Sequence, residues 1–164
     1  MTDDDRRTLG RTPDWGYLLR ELQELHRASS AGGSARVRAH HDRVCGLLGE
    51  LIEADAPLVP AAQGPEPEAL AHLTRAIDRG VRQPSQEVIR AVRALRGTLA
   101  WHTEYDPLPE PMRGRFAQCE IAGPSGPVRS ADVIVGLMLF APGCRYPEHW
   151  HEEIDESYLF DPRF

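Results

Sequence analysis

Between Leu18 and Leu99 the apolar residues of this chain recur every three or four positions, and beyond Tyr105 they gather into unbroken runs. That change of period constrains the fold most. A 3.6-residue repeat buries one stripe of a helix, whereas a continuous β-branched run suits a buried strand. Helices therefore come first and strands second, an α+β order rather than an alternating one.

Pro13, at a first-turn position, precedes Trp15, Leu18, Leu19, Leu22 and Leu25, and Ser29-Ser-Ala-Gly-Gly-Ser34 breaks that helix. A second helix is expected from about Ala35 to Ala54, with Val37, Val44, Leu47, Leu48, Leu51 and Ile52 on its stripe. Pro57, Pro60, Pro65 and Pro67 demand a loop. Leu70, Leu73 and Ile77 mark a third helix, closed by Gly80 just after its last turn. Ser85 is an N-cap candidate for a fourth, which carries Val88, Ile89, Val92, Leu95 and Leu99.

A proline-stiffened linker, Asp106-Pro-Leu-Pro-Glu-Pro111, then leads to a strand over 115–122, a Gly123–Pro127 turn and a buried strand over 133–140. Glu156 to Phe160 is the next expected strand. Residues 1–105 thus read as a helical region and 106–164 as the opening of a β-structure.

A net charge of −6 argues against non-specific nucleic-acid binding. The apolar run Val133–Ala141 is too short to span a bilayer, and the acidic N-terminus lacks a signal core, so a cytoplasmic protein is the expectation. Three widely spaced cysteines fit a reducing compartment: Cys45 and Cys119 read as buried spectators, and Cys144 stands close to the histidines discussed next. His26, His72 and His102 read as surface or boundary residues, Trp15 and Trp101 as packing anchors, and adjacent His40 and His41 as unsuited to one joint metal site.

The chemistry-bearing segment is Gly143-Cys-Arg-Tyr146-Pro-Glu-His149-Trp-His151-Glu-Glu-Ile-Asp-Glu156-Ser-Tyr158. Residues two apart on a strand share a face, so His149 and His151 can converge on one cation, with Glu156 returning on a neighbouring strand. Imidazole plus carboxylate suits zinc, iron, manganese or nickel, and three protein ligands leave positions open for substrate.

Gly143, five residues, His149-x-His151, four residues, Glu156 resembles the first motif of the cupin superfamily. More narrowly, Tyr146-Pro-x-His-x-His151 with Glu156-x-Tyr158 resembles the cupin-type dimethylsulfoniopropionate lyases, as do the Phe116–Pro127 run and the Gly136–Pro142 strand. The resemblance implies a small jelly-roll β-barrel, a divalent transition metal (zinc, iron or manganese) held by His149, His151 and Glu156, and a zwitterionic small-molecule substrate. The implied reaction is β-elimination to dimethyl sulfide and acrylate, with Tyr158 in the place of the base and Tyr146 lining the pocket. Trp150 could meet a sulfonium through cation–π attraction, although it lies between the histidines. Cupins often pair through their sheets, so a homodimer is also implied.

Two departures from the pattern matter. Four residues separate His151 from Glu156 where relatives often have three, which leaves Asp155 as an alternative ligand. The sequence ends at Phe164, before a second-motif histidine, so the chain reads as truncated within the first cupin motif. Other readings are a non-catalytic remnant or interaction module, and a metal-binding cupin acting on another small molecule, such as an oxygenase or isomerase.

Overall fold

The computed structural model describes residues 7–81, 85–103, 107–148, 152 and 154–159. Among the described residues the architecture is α+β: four α-helices, then a small mixed sheet. Helix α1, Pro13–Ser29, starts on the proline expected in its first turn. Helix α2, Ala35–Glu53, is capped by Ser34, whose Oγ accepts from the Val37 amide at 3.3 Å. That bond satisfies one of the donors a helix start leaves without a partner. The proline-rich stretch is loop up to a 3-10 turn, Glu68–His72, which runs into α3, Leu73–Gly80.

Gly80 differs from expectation: it is the last residue of α3 rather than a left-handed terminator beyond it. The reason is room. A β-carbon at Gly80 would sit 2.9 Å from Cγ1 of Ile89, so glycine here lets α3 approach α4, Gln86–Leu95. Ser85 occupies the N-cap position of α4 without a side-chain capping bond, and Leu99 is buried beyond the helix rather than on it.

Strand β1, Phe116–Gly123, is central. On one side it pairs antiparallel with β3, Val135–Phe140, in a register that sets Phe116 opposite Phe140 and Gln118 opposite Met138. A bulge at Ile121 shifts the ladder before Ala122 meets Val135. On the other side the two-residue β2, Val128–Arg129, runs parallel to the end of β1. Glu120 holds the tight turn between them, its Oε1 accepting from the amides of Ser125 and Gly126 at 2.7 and 2.6 Å. His102 adds a single antiparallel bridge to Gln118. This sheet agrees with the opening strands expected of a cupin-like barrel.

Alternation along the strands gives the sheet two unlike faces. Ala117, Cys119, Ile121 and Leu139 belong to one core with Trp15, Leu18, Leu19 and Leu22 of α1, Val44 and Leu48 of α2, Ile77 of α3 and Val92 and Leu95 of α4. The 3-10 turn lies against β1 and β3, with Ala69 fully buried between them. Fully burying a side chain such as Leu18 or Leu48 contributes about 1.5–3 kcal/mol relative to exposure, so this continuous core outweighs the exposed ion pairs of the surface. The opposite face carries Phe116, Gln118, Met138 and Phe140 and stays outside that core. Residue 105, the expected boundary between the helical and β parts, lies outside the described residues.

Candidate functional site

Beyond β3 the chain reverses through Ala141-Pro-Gly143, where Gly143 takes φ +78° and the Cys144 amide bonds Ala141 O at 3.0 Å. Glycine adopts this left-handed conformation without the clash that a β-carbon would add. The Ala141 amide bonds Arg115 O at 2.8 Å, and the Arg145 amide bonds Pro111 O at 3.3 Å. These backbone bonds return the chain to the start of β1.

Tyr146 consequently lies over the outer face of the sheet. Its ring stacks on Phe116 at a centroid distance of 5.8 Å and meets Phe140 edge-on at 5.5 Å. Phe116 and Phe140 are themselves 5.6 Å apart, as their opposed register requires. Tyr158 packs edge-on against Tyr146 at 5.9 Å, and the two phenolic oxygens are 3.4 Å apart. The two tyrosines singled out in the sequence, twelve residues apart, are thus brought together in a row with Phe116 and Phe140.

Residues 154–159 form no strand, contrary to the expectation for 156–160. A strand needs a ladder partner, and this segment is held by side chains instead. Asp155 pairs with Arg36 of α2 at 2.5 Å, and Ser157 Oγ lies 3.0 Å from Nε2 of His40 on the same helix. The Arg36 guanidinium holds the Asp155 carboxyl below its usual range, so Asp155, the alternative ligand, is engaged by the helix. Glu156, exposed, stands between these two anchors.

His149, Trp150 and His151 lie outside the described residues, and among the described residues no group of three or more histidine, cysteine or acidic side chains is arranged to hold a metal ion. The donor set of His149, His151 and Glu156 nevertheless has the chemistry of a catalytic divalent site: two neutral nitrogens and a carboxylate, with no thiolate among them. Of the cysteines, Cys119 is buried and its thiol is pushed up to about 12 by burial. Burial also raises Cys144, which the nearby Arg115 partly opposes.

Reading the sequence missed two histidine contacts. His26, expected at the surface or boundary, is buried, and its Nδ1 lies 3.0 Å from Nδ1 of buried His41. A signal existed: His26 continues the Leu18, Leu22 spacing of α1 by one more turn. The His40–Ser157 contact had none, since 117 residues separate the partners.

The sequence profile of the dimethylsulfoniopropionate lyase family matches residues 40–161. The DddL protein of Cereibacter sphaeroides, named as a candidate dimethylsulfoniopropionate lyase, is 41% identical over 150 residues, covering 90% of this chain and 63% of that protein. The chain therefore spans a little under two thirds of the relative's length. No solved structure matches. Among the described residues no helix is long and apolar enough to cross a membrane.

Proposed function

This chain belongs to the dimethylsulfoniopropionate lyase family, and from that premise we propose that it carries the proton-abstracting half of a carbon–sulfur lyase site. The observation behind this reading is the Tyr146–Tyr158 pair, whose hydroxyls stand 3.4 Å apart, Tyr158 following Glu156 by two residues in the sequence.

In this reading His149, His151 and Glu156 hold a divalent transition metal. When bound, that ion would polarise the substrate carboxylate and acidify the adjacent Cα–H.

Tyr158 acts as the base. Its phenolate oxygen takes the Cα proton, the freed electron pair forms the Cα=Cβ bond, and the Cβ–S bond breaks. Neutral dimethyl sulfide leaves, acrylate remains, and the proton on Tyr158 returns to solvent. Tyr146 supports the phenolate by turning its own hydroxyl proton toward it. At 3.4 Å the pair is looser than the usual O–H···O distance of about 2.7–2.8 Å, so the contact tightens when Tyr158 is the phenolate and relaxes as it takes the Cα proton and its charge is neutralised.

In this reading the half-buried aromatic rings of Tyr146 and Phe140 would attract a sulfonium cation. That attraction would supply about 0.5–2 kcal/mol and orient the leaving group away from the base. Wild-type protein given dimethylsulfoniopropionate and iron(II), manganese(II) or zinc(II) should release dimethyl sulfide into the headspace, with acrylate appearing in equal amount. Absence of both products with every metal would reject the lyase reading.

A further inference from the structure

We propose that helix α2 positions the metal-and-tyrosine segment, with His40 as the positioning residue acting through Ser157. This rests on the reading of Glu156 and Tyr158 given above.

The described apolar side chains of the segment are exposed. Ile154 is 62% exposed and Leu159 44% exposed, so neither apolar side chain anchors it in the core. Side-chain contacts engage it from elsewhere in the chain: Arg36 with Asp155, His40 with Ser157, and Tyr146 with Tyr158. The first is an ion pair between side chains 84% and 55% exposed, and pairs of that kind contribute little. The His40–Ser157 bond is part-buried, at 3.0 Å, and joins a residue of a regular helix to one of irregular chain.

Ser157 is flanked by Glu156 and Tyr158. Its side chain turns to α2 while that of Tyr158 turns to Tyr146 over the sheet. A grip on Ser157 from the helix therefore fixes both neighbours at once, the carboxylate on one side and the phenol on the other. Sub-ångström placement of a base is where such a grip affects rate, because small misplacement costs turnover before it costs binding. His40 itself is braced: its ring lies edge-on to His41 at 5.5 Å, and His41 is buried against His26.

The test uses the whole chain as wild type, His40→Ala, His40→Gln, Ser157→Ala and the double variant His40→Ala/Ser157→Ala. Amide hydrogen exchange over residues 152–159 reads the grip without reference to activity, with exchange over β1 as a control for folding. Each alanine variant should speed exchange of the segment about five-fold, the equivalent of one hydrogen bond, and the double variant should match the singles. His40→Gln, which keeps an N–H donor at similar reach, should restore protection. With dimethylsulfoniopropionate as substrate, kcat should fall about ten-fold in His40→Ala and Ser157→Ala while KM stays within about twofold, and His40→Gln should recover most of the kcat.

Unchanged exchange in the single variants, or effects that multiply in the double variant, would overturn the proposal. So would normal kcat in His40→Ala. A wild-type chain that yields no dimethyl sulfide rejects the lyase reading instead, and the exchange cycle still decides whether α2 grips the segment.

Discussion

Nδ1 of His26 lies 3.0 Å from Nδ1 of His41 across the α1–α2 interface, so one imidazole donates and the other accepts, in opposite tautomers. Protonating the accepting Nδ1 would break that bond, whereas the donor could take a proton on its Nε2 and keep it. Burial lowers both, and pushes His26 to about 4, with the nearby charges of His41 and His40 opposing it further. The folded state thus binds fewer protons than the unfolded chain below the ordinary histidine value of 6.5. The stability this pair contributes is complete above 6.5 and is lost as pH falls through about 4. We expect a loss on the order of 2–3 kcal/mol across that window, measured by urea unfolding at several pH values. His26→Leu should flatten the slope.

Leu48 is fully buried between the helices and the rest of the core. Leu48→Ala should cost about 2–5 kcal/mol, the sum of lost transfer and a cavity that a close-packed interior fills only partly. Val37, on the same helix but 43% exposed, should give less than about 0.5 kcal/mol on Val37→Ala. Denaturant midpoints of the two variants check the contrast.

Two glycines predict opposite signs. A β-carbon at Gly136 would lie 2.5 Å from the carbonyl oxygen of Cys119, within the β1–β3 ladder, so Gly136→Ala must push the strands apart at a cost of about 1–3 kcal/mol. Gly46 sits mid-way along α2 with nothing within 4 Å of such a carbon. Gly46→Ala should therefore stabilise by about 0.5–1 kcal/mol through helix propensity and a less free unfolded chain. Thermal melts would show one midpoint falling and the other rising.

Site variants should separate binding from chemistry. His149→Ala should lower bound metal measured by elemental analysis, and turnover with it. Tyr158→Phe removes only a hydroxyl, so metal content should hold while dimethyl sulfide release falls roughly a hundred- to ten-thousand-fold, the range for loss of a general base. Equal turnover by Tyr158→Phe and wild type would remove Tyr158 from the role of base.

The helices were legible because periodicity, Pro13 and the Ser29–Ser34 break all point the same way, and the β1 and β3 strands because their apolar runs have no helical alternative of that length. Gly80 was misplaced because a terminating glycine and a close-approach glycine look alike until Ile89 is seen beside it. The strand expected after Glu156 failed for a related reason: alternation suggests a strand, but a ladder partner must exist in space. Tyr146 and Tyr158 could be singled out by their spacing around the histidines, whereas the register that sets Tyr146 on Phe116 and Phe140 is a property of the folded sheet. Long-range pairs such as His40 with Ser157 leave no periodic trace at all.

The family profile begins at residue 40, in the interior of α2. A fragment excised at that border would start mid-helix, stripped of the Ser34 that closes its first turn and of every α1 side chain lining the shared interior. The edge of the profile and the edge of a unit that can fold alone thus differ here. Anyone trimming the protein to the profile-matched residues would be discarding the wall against which they are built.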